Sequence, residues 1–435
     1  MSSFEEGAVG LRLDPEPTVP TVAPNMKAAI VAPLPNAPAP PREDMVLYTL
    51  IMAMVVFGLV MVYSASAVYA KQKFGSATHF LHRDLIYAAL GLLAMHIGAR
   101  TDFGAYRRWC YPLLASAIGL LVGVLVTGVR INGARRWFHL GGLSFQPAEL
   151  AKLALVIYLA HSLAKKAEKI RSFTIGFVPH MLVASLMMVL LLLQPDLGTA
   201  VVLGVTTLIV LFVAGAKISY IVMAFLAAAP VVYQVIVGTP WRMKRMLAFL
   251  DPWQYRHDVG YQITESLISI GSGGATGQGL GDGKQKLFFL PEAHTDYIMA
   301  IVGEELGLVG IGLIALAFSV LIWRGAKAAL GARDAFGTYL AFGITTLFGL
   351  QSLVNLGVVL GALPTKGLPL PFISFGGSTL IVDLFAVGIL LNISRGAPEP
   401  VPELVGDRAA LARLRRWANR RRRGGGQRVV VENAP

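Results

Sequence analysis

The chain is 435 residues long, 55% apolar and 14% charged, with a mean hydropathy of +0.62, whereas ordinary soluble domains are roughly 25% charged. So little polar surface cannot cover the apolar surface such a chain would bury, which excludes an ordinary soluble globule. A net charge of +13 suits anionic lipid or a phosphate-bearing partner as well as nucleic acid, and a single cysteine, Cys110, excludes a disulfide framework and a cysteine-rich metal site.

Residues 1–44 stand apart. Nine of the 24 prolines lie between Pro15 and Pro41, and such a segment makes no packed core, so a disordered tail is expected. It has no basic stretch followed by an apolar run and a small-residue cleavage site, so the first hydrophobic segment is expected to serve as an uncleaved insertion signal.

Ten candidate spans follow, at about 45–69, 85–99, 110–129, 147–163, 174–194, 197–215, 218–238, 297–323, 336–360 and 371–393, each near the roughly 20 residues needed to cross a bilayer. The second is short and the fourth carries two charges. An even number puts both termini on one side, and 24 of the 38 Lys and Arg residues fall in the segments on that side. The bias predicts cytoplasmic termini. The tail at 396–435, with Arg415, Arg416 and Arg420–Arg423, reads as a polybasic segment on anionic lipid; no motif supports nucleic-acid binding. The expected architecture is an all-α polytopic membrane protein of about ten transmembrane helices, with a core at 45–395 and a long ordered periplasmic loop, 239–296, between helices seven and eight. That loop holds Trp241, Trp253, Tyr255 and Tyr261, and its 259–270 piece has the spacing of an amphipathic interfacial helix.

Ionisable groups within or beside spans are functional candidates, because burying them is costly. Glu149 and Lys152 stand three apart behind Pro147, on one helical face; they read either as a structural ion pair or as a charged element in a substrate cleft. Asp296, in Leu-Pro-Glu-Ala-His-Thr-Asp-Tyr-Ile-Met-Ala (290–300), sits where the long loop enters a span. It reads either as a base made stronger by partial desolvation or as a helix cap. Glu304 and Glu305 lie two turns deeper and read as buried partners before catalysts. The outer side carries Arg130, Arg135, Arg136, Arg242, Lys244, Arg245, Arg256, Lys284, Lys286 and Lys366. They read either as a clamp for an anionic, diphosphate-bearing partner or as snorkelling side chains. The glycines from Gly271 to Gly283 lack a Gly-Lys-Ser/Thr ending, so close backbone packing is expected rather than a nucleotide loop. The eight histidines show no metal-ligand spacing.

Seven blocks carry a family resemblance: Tyr-Ser-Ala-Ser (63–66), Asn-Gly-Ala-Arg-Arg-Trp (132–137), Phe-Gln-Pro-Ala-Glu-Leu-Ala-Lys (145–152), Gln-Pro-Asp-Leu-Gly-Thr (194–199), Pro-Glu-Ala-His-Thr-Asp-Tyr-Ile (291–298), Gly-Glu-Glu-Leu-Gly (303–307) and Pro-Leu-Pro-Phe-Ile-Ser-Phe-Gly-Gly-Ser (369–378). In this order they resemble the SEDS family, the FtsW/RodA polytopic peptidoglycan polymerases, over roughly residues 45–395. The 291–296 and 364–372 blocks resemble the division members more than the elongation members. Tyr297 and Phe375 stand where the family often has Phe and Tyr.

The resemblance implies a ten-helix glycosyltransferase that joins lipid II into glycan strands at the outer face of the bacterial inner membrane, at the septum. It implies Asp296 as catalytic carboxylate and Glu149–Lys152 as a cleft ion pair. Substrate contacts are implied at Arg136, Lys366, Gln146, His294, Thr295, Gln262 and Ser374. It further implies a class B penicillin-binding protein as transpeptidase partner, other divisome proteins, and room for a divalent cation, Mg or Mn, with no ligands indicated. The alternatives are a lipid II flippase and a non-catalytic divisome scaffold. The absence of Asp, Glu, Lys and Arg from 174–194, 197–215 and 218–238 disfavours a polar route through the bilayer.

Overall fold

The computed structural model describes residues 43–396, except Asn132 and Gly142; both expected tails lie outside these residues. Twelve α-helices follow in order: α1 Met45–Phe74, α2 His79–Arg100, α3 Phe103–Thr127, α4 Pro147–Lys165, α5 Val178–Leu193, α6 Leu197–Val213, α7 Ile218–Val237, α8 Pro240–Leu250, α9 Tyr261–Gly273, α10 Ile298–Leu330, α11 Ala335–Val359 and α12 Ser378–Ser394. Among the described residues, eight helices are long and apolar enough to cross a membrane, α5 counting with its leading π-turn (173–177), and α6 and α12 are shorter apolar helices. These ten correspond one for one to the expected spans.

The helices pack by two devices. Where two backbones approach closely, glycine is required: a Cβ on Gly98 would stand 2.8 Å from the Phe385 carbonyl oxygen, and one on Gly388 would stand 2.2 Å from that of Met95. Small residues bring α2 and α12 together in this way, as in other membrane bundles. Asn392 on α12 adds a buried bond to the Ala99 carbonyl, 2.7 Å. The second device is burial of one central helix: almost every residue of α4 is enclosed, whereas no residue of α7 is buried. A helix apolar on all faces and unburied by protein is a lipid-facing one.

The first and last described residues meet at one end of the bundle. Asp44 caps α1, pairs with Arg324 at 2.6 Å and takes its backbone N–H to Ser394, 3.2 Å, while Arg395 pairs with Glu43. Ten apolar helices, an even number, return the chain to the end at which it entered.

Three segments differ from expectation. The connection before α4 forms a three-stranded antiparallel sheet, β1 Val129–Ile131, β2 Ala134–Leu140 and β3 Leu143–Phe145, with Arg130 opposite Arg135 and Phe138 opposite Phe145. The segment 371–377, expected within the last span, is an ordered non-helical loop ahead of α12; Phe372, Ile373 and Ser374 in it are buried. Irregular backbone can sit there because protein, not lipid, surrounds it. Finally, α9 forms where a helix was expected but buries a small polar face. Ser266 donates to the Val359 carbonyl on α11 and Ser269 to the Ala300 carbonyl on α10, both at 2.9 Å. It packs onto the bundle by that face, which an interfacial amphipathic helix would keep in water.

Candidate active site

Asp296 lies on the turn that delivers the long loop into α10. The turn is closed by Glu292, whose carbonyl accepts from the N–H groups of Thr295 and Tyr297, 3.2 Å each. Thr295 also donates its hydroxyl to the Glu292 carboxylate, 2.9 Å. Tyr297 occupies the cap position of α10, which has no side-chain cap, so Asp296 is not the capping residue. Its carboxylate has no hydrogen-bond or ion-pair partner among the described residues and lies beside Gly367, where a Cβ would stand 2.7 Å from Oδ2. Asp296 keeps some open surface, but protein crowds it on its other sides. Burial, reinforced by Glu292 and Asp196 and opposed by Arg136 and Arg245, pushes its pKa up to about 7. A carboxylate so tuned can take up a proton near neutrality.

Cations converge on the same place. Lys366 precedes Gly367 and has no hydrogen-bond or ion-pair partner among the described residues. Burial first, then repulsion from Arg242 and Arg245, lowers its pKa to about 8 against the opposing pull of Asp196. Arg242 and Arg245 share one face of α8, each over the Trp241 ring at 5.1 and 5.2 Å. Burial and the charge of Arg136 also hold the Arg242 guanidinium below its usual range. Arg136, on β2, donates Nε to the Gln194 carbonyl, 2.9 Å, and Nη2 to the Pro195 carbonyl. It therefore fixes the α5–α6 turn while acting electrostatically on Asp296. That turn presents Asp196, which caps α6 through Thr199, 3.1 Å to the N–H and 2.8 Å to the hydroxyl. Arg242 and Arg245 are among the outer-side cations expected either to clamp an anionic partner or to snorkel; their i, i+3 spacing puts them on one helical face.

The other expected contacts have different surroundings. His294 is enclosed by Phe80, Tyr69 and Phe375 at 4.5, 5.9 and 5.9 Å between ring centroids. Its carbonyl accepts from the Phe375 N–H, 3.0 Å, and burial lowers its pKa. Neutral and stacked, it anchors the 371–377 loop. Ser374 Oγ accepts from the Leu370 N–H, 2.9 Å, and the Gln146 N–H donates to Ser378 Oγ, 2.9 Å. Thr295 serves Glu292 as described. Gln262 is half-buried on α9, and no hydrogen bond joins it to the Asp296 group among the described residues.

Glu149 and Lys152 pair at 2.8 Å on α4, each 3% exposed. They line, with Gln351 and Asp383, a cavity of about 10 Å³, room for about one water. Both side chains are enclosed in the packed interior of the bundle. Glu304 accepts from the N–H groups of Lys284 (2.7 Å) and Gln285 (3.2 Å), while Glu305 takes the Ser64 hydroxyl and pairs with Lys286 at 2.7 Å. Both carboxylates are occupied in holding the 271–286 loop. No three His, Cys, Asp or Glu side chains converge closely enough to hold a metal ion among the described residues. A preformed protein cage for a divalent cation does not fit the site.

A bundle of ten apolar helices, with an unpartnered carboxylate and several cations gathered beside one end of it, defines a polytopic membrane protein. The sequence matches the model of the FtsW/RodA/SpoVE group, described as cell cycle proteins, over residues 44–398; the chain belongs to this family. It is 49% identical over 362 residues to the probable peptidoglycan glycosyltransferase FtsW of Geobacter sulfurreducens, covering 82% of this chain and 97% of that one. It is 43% identical to the stage V sporulation protein E of Bacillus subtilis, covering 81% and 97%. Among solved structures it resembles a chain of a peptidoglycan synthase complex that coordinates polymerization and crosslinking, with TM-score 0.69, 32% identity and 81% and 98% coverage. It also resembles the rod shape determining protein RodA of Thermus thermophilus, with TM-score 0.61, 31% identity and 83% and 98% coverage.

Proposed function

We propose that this chain is a peptidoglycan glycosyltransferase of septal wall synthesis that polymerises lipid II at the outer mouth of the bundle. The carrying observation is the placement of the unpartnered Asp296 carboxylate against Gly367, the residue that follows the unpartnered Lys366. Asp296 accepts the proton of the acceptor sugar hydroxyl as its oxygen bonds to the anomeric carbon of the donor. The bond from that carbon to undecaprenyl diphosphate breaks, and the electron pair leaves with the diphosphate. Lys366, Arg242 and Arg245 meet the charge that accumulates there. Direct displacement inverts the anomeric centre and needs one base and no covalent carboxylate. The helices hold the lipid anchors, so both substrates arrive within the plane of the bilayer.

The reading extends to the setting: a bacterial inner membrane, cytoplasmic termini, the division septum, and a class B penicillin-binding protein crosslinking the product. The similarity to a chain of a peptidoglycan synthase complex supports such a partner. A divalent cation, if used, would be carried in chiefly by the substrate diphosphate, since Mg²⁺ needs few protein ligands beside phosphates. The test is lipid II polymerisation by the purified protein with its cognate partner. Asp296→Asn should lower the rate by about 10²–10⁴-fold, the usual contribution of a general base. Glycan strands made at the wild-type rate by that variant would overturn the assignment.

A further inference from the structure

We propose that Asn355 is a positioning residue for this reaction: by donating to two carbonyls at once it sets the Asp296 turn against the Lys366–Gly367 loop. The proposal rests on the reading of Asp296 as base. Asn355 lies near the end of α11, 2% exposed. Its Nδ2 donates to the Asp296 carbonyl at 2.9 Å and to the Leu368 carbonyl at 2.8 Å. A primary amide has two N–H donors, and both are used here, on two segments far apart in sequence. One carries the base and the other carries the cation two residues before the contact.

The choice of residue supports a role beyond packing. Asn355 Oδ1 is buried without a hydrogen-bond partner, a condition that is rare in folded proteins and asks for an explanation. Leucine would fill a similar volume and leave no orphaned oxygen. Aspartate would offer at most one donor. Asparagine is the short side chain that reaches two carbonyls together, and the unsatisfied oxygen accompanies that bridge. Displacement of a reacting group by about 1 Å can cost about 10²-fold in rate, so a tie at the backbone of the base has a kinetic consequence without touching substrate.

The charged groups facing Asp296 are Glu292 on its own turn, Arg136 on β2, Asp196 at the head of α6 and Arg245 on α8; Lys366 precedes Gly367, which lies against the Asp296 carboxylate, and Arg242 acts on Lys366. Asn355 is neutral, so replacing it removes no charge from this set. Any shift in the titration of the base must then come from movement and hydration of the turn.

The experiment measures kcat and KM for lipid II against pH, using the full-length protein with its transpeptidase partner, for wild type, Asn355→Ala and Asp296→Asn. Asn355→Ala should lower kcat by about tenfold or more, leave KM within about twofold, and move the acid-limb midpoint to lower pH as Asp296 gains water. An unchanged rate, or a lower rate with an unmoved midpoint, overturns the positioning role. Should Asn355→Ala not fold, Asn355→Gln keeps the amide but displaces it by one methylene; a rate loss with a moved midpoint supports the proposal, and anything else overturns it. Asp296→Asn separates the two readings: activity retained there removes the base itself, whereas an inactive Asp296→Asn beside a wild-type-like Asn355→Ala removes only the positioning role.

Discussion

A base that works near neutrality has to be partly dried without being sealed, and Asp296 meets both conditions. Its carbonyl is tied down, its carboxylate is unengaged, and desolvation outweighs the cations around it. The same balance sets a pH window. The base must be ionised, so kcat/KM should rise as pH passes about 7; Lys366 must stay protonated, so the rate should fall as pH passes about 8. The expected profile is a narrow bell reporting the free enzyme. Lys366→Arg keeps its charge at any accessible pH, so the alkaline limb should move up while the acid limb stays. Measuring kcat/KM from about pH 5 to 10 checks both limbs. Asp296 was legible in the sequence as a carboxylate between a polar loop and a span. The action of Arg136 and Arg245 on it was not, because they come from two other segments, β2 and α8.

Among the elements, α10 and the glycine segment behind α9 form one unit. Gly307 breaks α10 with φ 66°, and the chain from Gly273 to Gly279 docks into the break. Gln278 and Gly279 donate to the carbonyls of Glu304 and Glu305 at 2.9 and 3.1 Å, and Leu308 and Val309 return bonds to Gly274 and Ala275 at 3.0 and 3.1 Å. The expectation of close backbone packing from the run of glycines is realised here. A Cβ on Gly273 would stand 1.9 Å from the Gly303 carbonyl oxygen, whereas one on Gly271 would meet nothing within 4 Å. Gly273→Ala should therefore destabilise by about 1–3 kcal/mol. Gly271→Ala, a helical position, should be neutral or gain up to about 1 kcal/mol. Thermal melting of the two variants in detergent distinguishes them. The strands β1–β3 were not legible: β1 and β3, of three residues each, carry too little alternation to register, and the seven residues of β2, Ala-Arg-Arg-Trp-Phe-His-Leu, do not alternate.

At the scale of the whole molecule, burial grades from α4, enclosed on nearly every side, to α7, with no residue buried. Glu149 and Lys152 sit on the enclosed helix with Asp383 facing them across the small cavity. Removing one partner leaves the other charge buried and uncompensated. Glu149→Ala alone should cost about 3–5 kcal/mol, and Glu149→Gln with Lys152→Met together should recover much of that loss. Denaturant titration of the single and double variants measures the difference. If activity fails in a well-folded double variant, the pair has a task beyond holding α4 in place.

Composition and hydropathy alone determined the class of molecule, the ten apolar helices and their order, because a segment that must satisfy its backbone inside lipid has little choice but to be helical. Residue order along the chain also marked Asp296, whose position at a loop–span junction is a local property. Tertiary structure decided which cations face that carboxylate, that His294 and Ser374 anchor a loop, that Glu149 and Lys152 lie in the packed core, and that Asn355 ties two walls together. Those are contacts between residues far apart in sequence, and their energies depend on distance and burial, which no local pattern encodes.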